Sequence, residues 1–243
     1  MAQIRLDKMV AEAAGVPRAQ ARKLIQKGLV QVEGQVLKTA DAKVEESAAL
    51  TVQGKALSHK KYVYLMLNKP RGVVSASRDG RDTTVVDLVA ADFPRRELFP
   101  AGRLDKESTG FVLLTDDGPF AHLILSPKRH VPKTYTVTVD TPVTDEMVRG
   151  FAEGVTLADG EKMLPAELHP DPADPCRARV VLHQGVYHQI KRMFGVFGAG
   201  VNTLHRDAVG QVALDGALLP GQWRELTDEE VALLRAAAEN PSF

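Results

Sequence analysis

Residues 99–118 read FPAGRLDKESTGFVLLTDDG, and the rest of the chain is best read outward from them. Gly102 and Gly110 bracket a polar loop, and the apolar run Phe111 to Leu114 follows at once. A short apolar run bounded by turn residues reads as a strand. Asp116-Asp117-Gly118 closes it as a turn signal and not as a second pair of catalytic carboxylates. The pattern puts Asp105 on a loop at the mouth of a sheet, with a strand behind it for rigidity. A carboxylate in such a place stays ionised only if it has a cationic partner or hydrogen bonds. Taken alone, an Asp in a loop is ordinarily a turn or cap residue, so position alone does not make Asp105 catalytic.

The flanking segments supply the sheet and its helices. YVYLMLNKP (62–70) reads as a strand ended by Pro70 and Gly72. TYTVTVD (134–140) alternates as a strand does, and RARVVLHQG (177–185) gives another. TDEMVRGFAEG (144–154) reads as a helix with Thr144 at its N-cap. HQIKRMFGVFG (188–198) reads as a helix ended by Gly198, and LTDEEVALLRAAAEN (226–240) as one capped by Thr227. Strands outnumber helices without regular alternation, which predicts an α+β fold and not a doubly wound α/β one.

The N-terminal segment has a different character. Ile4, Leu6, Met9, Val10 and Ala13 recur at helical spacing, and Gly15-Val16-Pro17 ends the run. RAQARKLIQKG (18–28) reads as a second helix, with Leu24 and Ile25 inward and Arg18, Arg22, Lys23 and Lys27 in two rows outside. LVQVEGQVL reads as a hairpin about Glu33-Gly34, AALTVQGKAL as a further strand, and KALSHKK (55–61) as a linker. Residues 1–61 carry 11 Lys and Arg against 6 Asp and Glu, a surplus of five positive charges, although the whole chain is formally neutral. A basic module on a mildly acidic body predicts a phosphate-rich partner.

Composition narrows the class. A hydrophobic fraction of 44% suits a folded globular protein. The start MAQIRLDKMV lacks the apolar core of a signal peptide, and no stretch approaches the roughly 18 apolar residues of a membrane span. One cysteine, Cys176, leaves no internal disulfide and no cysteine-based zinc cluster. His188 and His205 lack a carboxylate or cysteine at ligand spacing, so no metal site is expected. A cytoplasmic protein is expected.

Two resemblances sharpen this reading. IRLDKMV, RAQARKLIQKGLVQVEG and LTVQG resemble the S4 RNA-binding domain, two helices followed by a small sheet. GRLDKESTGFVLLTDDG resembles the GRLD motif of pseudouridine synthases, in the RsuA-like family acting on small-subunit ribosomal RNA. LNKPRGVVSA, SPKRHVPKTYTV and GVYHQIKRMFGVFGAGVNTLHRDAVG follow in that family's order, so the likeness covers nearly the whole chain. It implies an S4 domain over 1–59 and, over 60–243, a catalytic domain with a mainly antiparallel mixed sheet flanked by helices. It also implies Asp105 as nucleophile, Tyr135 as the aromatic that stacks on the target base, and Lys191 as the partner of the carboxylate. Arg192 adjoins Lys191 and is the alternative partner and a substrate contact. Arg103 would fill the gap left by a flipped nucleotide, and Leu204 would form part of the apolar wall. Lys69 and Pro70 would brace the active-site loop. In the S4 segment the RNA-facing set would be Arg5, Lys8, Arg18, Arg22, Lys23 and Lys27.

The chemistry so implied is self-contained. Isomerising uridine breaks the N-glycosidic bond and remakes a carbon–carbon bond from C5 of the same base, so no cofactor is expected. It needs a nucleophilic carboxylate, a dry pocket and walls that keep the detached base beside its ribose. Attack on ribose C1′, assistance to a glycal and attack on C6 all remain open. The implied partner is 16S ribosomal RNA, free or in small-subunit assembly intermediates, with uridine 516 as target and a monomer as the acting form. Three alternatives stand beside it: a 23S enzyme of the same family, a non-catalytic S4-type assembly protein, and a glycoside-cleaving hydrolase. The hydrolase would need a second carboxylate that the chain does not offer.

Overall fold

The computed structural model describes residues 3–57 and 59–239. The chain divides into two compact units, residues 1–63 with 92–97, and residues 64–91 with 98–243.

The first unit runs β1 (Gln3–Arg5), α1 (Leu6–Ala13), α2 (Arg18–Gln26), β2 (Val30–Val32), β3 (Gln35–Val36), β4 (Lys43–Glu45), β5 (Leu50–Val52) and β6 (Lys55–Leu57). Strands β3-β2-β5-β6 form one antiparallel sheet, and β1 pairs with β4 in a second. Leu6, Met9 and Val10 of α1 pack with Ala21 and Ile25 of α2 and with Val30, Leu50 and Val52 of the sheet. Two expectations change here. Ile4 lies in a strand: it pairs with Val44, and the helix starts two residues later, where the Leu6 and Asp7 amides donate to the Ala42 and Ala40 carbonyls. Residues 55–57 form strand β6 and not the start of a linker. Gln53 and Gly54 both take positive φ, +52° and +79°, the turn that returns a strand directly on its neighbour.

The second unit contains β7 (Tyr64–Lys69), β8 (Phe99–Pro100), β9 (Thr109–Thr115), α3 (Gly118–Leu125), β10 (Lys133–Val139), α4 (Asp145–Glu153), β11 (Glu167–Pro170), β12 (Arg177–Leu182), α5 (Gln189–Val196), β13 (Val201–Val209), β14 (Val212–Ala213), β15 (Trp223–Glu225) and α6 (Asp228–Glu239). Its sheet has the order β11-β12-β10-β13-β9-β7-β15, with β14 beside β13 and β8 beside β9. Every pairing is antiparallel except β13 with β9. Together with the helices this is the expected α+β architecture.

The unbroken apolar runs of β7 and β9 follow from burial: Leu65, Met66 and Leu67, and Phe111 through Leu114, are fully buried. Helices α3 and α6 close one side of the core, with Phe120, Ile124, Leu234 and Ala238 against Met66, Phe111 and Leu113. The Asp116-Asp117-Gly118 turn proves to be a helix start, since the Asp117 carboxylate caps α3 by accepting from the Phe120 amide. Thr227 and Glu230 cap α6 reciprocally, each side chain accepting from the other's amide. Strand β13 is an element that periodicity did not reveal.

The parallel seam matters for the site. It pairs His205 with Thr109 and Arg206 with Gly110. Gly110 sits at φ +100°, and a Cβ there would lie 2.4 Å from the Arg206 carbonyl oxygen. Only glycine lets the two backbones approach this closely. The loop that carries Asp105 leaves the sheet immediately before this point.

Candidate active site

The 104–108 loop is held from behind. The Lys69 ammonium, fully buried at the end of β7, donates to the carbonyls of Ser108 (2.6 Å), Lys106 (3.1 Å) and Pro70 (3.1 Å). Burial pushes its pKa down to about 8, against the raising pull of Glu107 and Asp105. The Gly72 amide donates to the Lys106 carbonyl. Ser75 Oγ donates to the Leu104 carbonyl and accepts from the Leu104 amide. Arg206, also buried, donates through Nε to the Phe111 carbonyl at 2.7 Å and through Nη1 to the Arg103 carbonyl at 3.5 Å. The conformation of the loop is thus imposed by backbone acceptors bound to side chains from β7, the segment after it and β13.

On this base Asp105 points into an open cleft that it lines together with Ser108, Gln189 and Lys191. Lys191 Nζ lies 3.1 Å from its Oδ2, and His188 Nε2 lies 3.3 Å from its Oδ1. Each carboxylate oxygen therefore has its own nitrogen partner, and the side chain remains partly open to the cleft. Lys191 and His188 are three residues apart at the start of α5, where one helix face brings them together. His188 is the N-cap residue and takes a left-handed φ of +51°, a conformation a non-glycine residue holds only under local constraint.

Tyr135 and Leu204 enter from the neighbouring strands β10 and β13 and line the same cleft, as do Leu182, Val186 and Ile190. Tyr135 is buried at 7% exposure. Arg103 also lines the cleft. The chain thus brings Asp105, Tyr135, Lys191, Arg103 and Leu204 together from segments a hundred residues apart.

Arg192 does not join them. Its guanidinium turns to Asp159 and, at 3.6 Å, to Glu161, and it donates to the Tyr187 carbonyl. The cation placed against the carboxylate is Lys191, while Arg192 pairs with two acids and is not among the residues that line the cleft.

In the first unit, Arg5, Arg18 and Arg22 converge on Asp7, whose side chain is fully buried, at 3.2, 2.8 and 3.0 Å. Burial pushes the Asp7 carboxyl up, but the hydrogen bonds of Arg18, Arg5 and Arg22 outweigh it and hold it well below the usual carboxylate range. The three guanidiniums stay about half exposed and are fixed as a group. Lys8 pairs with Glu12 at 3.8 Å, and Lys23 and Lys27 lie exposed on or at the end of α2.

Sequence reading missed His188, Asp7 and Arg206. The first could have been found from its place three residues before Lys191. The second could have been found as a lone acid in the apolar stripe of α1. For Arg206 no local signal exists. Among the described residues no group of three or more His, Cys, Asp or Glu could hold a metal ion. No helix among them is long and apolar enough to cross a membrane.

The chain has counterparts among known proteins. Residues 63–195 match the RNA pseudouridylate synthase family and residues 4–50 the S4 domain. Ribosomal small subunit pseudouridine synthase A of Escherichia coli (strain K12) is 41% identical over 231 residues, 94% of this chain and 99% of that protein. An uncharacterized RNA pseudouridine synthase, YtzG, of Bacillus subtilis (strain 168) is 41% identical over 234 residues, 95% of this chain and 98% of its own. A crystal structure of a pseudouridylate synthase superposes with a TM-score of 0.65 at 37% identity, covering 95% of this chain and 99% of that one.

Proposed function

The chain belongs to the RNA pseudouridylate synthase family and carries an S4 domain, and from that premise we propose that it converts one uridine of 16S ribosomal RNA to pseudouridine with Asp105 as nucleophile. The observation that carries the proposal is the pairing of each Asp105 oxygen with a separate nitrogen, Lys191 on one and His188 on the other, inside a cleft lined by Tyr135 and Leu204.

Each part answers a need of the reaction. Lys191 places a positive charge 3.1 Å from one carboxylate oxygen. The two nitrogen partners fix its plane, so the attack geometry is set before substrate arrives. The target uridine leaves its stack and enters the cleft, which costs a few kcal/mol, and stacking on Tyr135 recovers roughly 1–3 kcal/mol. An Asp105 oxygen bonds to C1′ as the N1–C1′ bond breaks, and the base turns within the walls formed by Leu204, Leu182 and Ile190. C5 then bonds to C1′ as the Asp105–C1′ bond breaks and the carboxylate is regenerated, C5 loses its proton and N1 gains one. Arg103, at the mouth, fills the space the nucleotide leaves in the RNA.

Residues 1–59 form the RNA anchor in this reading and residues 60–243 the catalytic part. Arg5, Arg18 and Arg22, preset by Asp7, meet phosphates together with Lys8, Lys23 and Lys27. The small-subunit assignment rests on relatives such as the Escherichia coli enzyme, whose likeness spans both parts, and the target proposed is uridine 516. One chain carries anchor and pocket, so the acting form is a cytoplasmic monomer. RNA labelled with tritium at C5 of uridine tests the chemistry. Wild type should release tritium, and Asp105→Asn should release none while binding RNA as before; normal release by the Asn variant would refute the role of Asp105.

A further inference from the structure

Tyr187 is 71% exposed, and among the described residues no other phenylalanine, tyrosine or tryptophan stands open to solvent. A single exposed apolar side chain needs no explanation on most of a protein surface. Its setting gives this one a meaning. The Tyr187 ring is stacked on the His188 ring, with centroids 3.9 Å apart and planes within 15°. His188 is itself held, by its left-handed backbone and by the Asp105 carboxylate at 3.3 Å. The residues on both sides of Tyr187, Val186 and His188, line the catalytic cleft. A flat ring is therefore fixed at the mouth of the cleft, with one face against an active-site imidazole and the other toward water.

A strand that turns a nucleotide into the cleft bares one face on each of the two neighbouring bases; Arg103 covers one of them and the other stays unstacked at that mouth. An aromatic side chain accepts such a face whatever the base, because every base presents a π surface. We propose that the open face of Tyr187 binds the unpaired nucleobase adjoining the target uridine, so that the RNA stack continues through Tyr187 onto His188 beside the nucleophile. This inference rests on the pseudouridine synthase reading above and adds to it a second nucleotide subsite outside the cleft.

The adjoining base does not react, so its stack is the same before and during the chemical step. Losing it weakens binding uniformly, which raises KM and leaves kcat unchanged. The test uses a 16S RNA fragment spanning the proposed uridine, with 2-aminopurine placed in turn at its 5′ and 3′ neighbours. Wild type should quench the fluorophore at one of the two positions. Tyr187→Leu, which keeps apolar bulk over His188 without a π face, should abolish that quench. It should also raise KM about tenfold, equivalent to about 1.4 kcal/mol, within the range for one base on one ring, at unchanged kcat. Tyr187→Phe should match wild type in both. Wild-type quench or wild-type KM in Tyr187→Leu overturns the inference. Pseudouridine formation by wild type is scored on the same fragment. Its absence would remove the underlying reading, whereas the quench is read on bound RNA without turnover, so the two failures are distinct.

Discussion

Replacing Lys69 by Met removes a buried donor from three backbone acceptors while keeping an unbranched side chain of similar length. The carbonyls of Pro70 and Ser108 lose their ammonium partner, the latter fully buried, and the Lys106 carbonyl keeps only the Gly72 amide. Each orphaned acceptor costs about 1–3 kcal/mol, and release from burying a charge offsets part of that. A net loss of about 3 kcal/mol is the expected result, and for a unit of this size it lowers Tm by about 6–12 °C. The Asp105 loop loses its clasp at the same time. A displacement of the nucleophile by about 1 Å costs on the order of 100-fold in rate, so kcat falls while KM stays within a few-fold. Acidity gives a separate check. The Lys69 pKa in the folded protein, about 8, lies below the ordinary lysine value of 10.5. Below about pH 8 folded and unfolded chains both hold the proton, and between the two values only the unfolded chain does. Stability therefore rises with pH across that interval, and the Tm advantage of wild type over Lys69→Met should widen from pH 8 to 10. Thermal unfolding by circular dichroism and single-turnover kinetics read both effects. Wild-type Tm and kcat in Lys69→Met would refute the clasp.

Three further outcomes follow from particular contacts. Lys191→Ala should lower kcat by about 100- to 1000-fold, the cost of removing one preorganised electrostatic partner, and Arg192→Ala should leave kcat near wild type, both read in the tritium-release assay. Asp7→Asn should unfasten Arg5, Arg18 and Arg22, weaken RNA affinity and reduce its dependence on salt in a filter-binding titration. Because the folded-state carboxyl of Asp7 is depressed, its contribution to stability is present above the ordinary carboxylate range and is lost as pH falls through the lowered value; Asp7→Asn should lack that acid-dependent loss. Gly110→Ala should prevent folding of the catalytic unit, since its Cβ would sit 2.4 Å from a backbone oxygen at a positive φ; soluble, normally melting protein would contradict this.

The parts of the site legible in the sequence are those set by local pattern. A glycine-bounded polar loop before an apolar run marked the Asp105 loop, and strong alternation marked the strand that brings in Tyr135. Lys191 and Leu204 came from resemblance, and the chain does bring them to the cleft. What escaped depends on contacts between distant segments. The choice of Lys191 over Arg192 is made by Asp159 and Glu161, some thirty residues earlier, which draw Arg192 aside. Strand β13 shows no apolar alternation, because several of its side chains face the cleft or solvent, and its place is set by pairing to β10 and β9. Strand β6 looked like linker because Lys55, Ala56 and Leu57 lie on a sheet edge with little burial to impose a pattern. Ile4 kept the helical rhythm of its neighbours by coincidence, since a strand running straight into a helix places Ile4 and Leu6 in one core.

The most direct test of the central claim is a map of pseudouridine in 16S ribosomal RNA from cells lacking this protein and supplied with either wild type or Asp105→Asn. The account predicts one pseudouridine, at uridine 516, present with wild type and missing with the Asn variant. The same pseudouridine at full occupancy with Asp105→Asn, or in the cells lacking both, would contradict it.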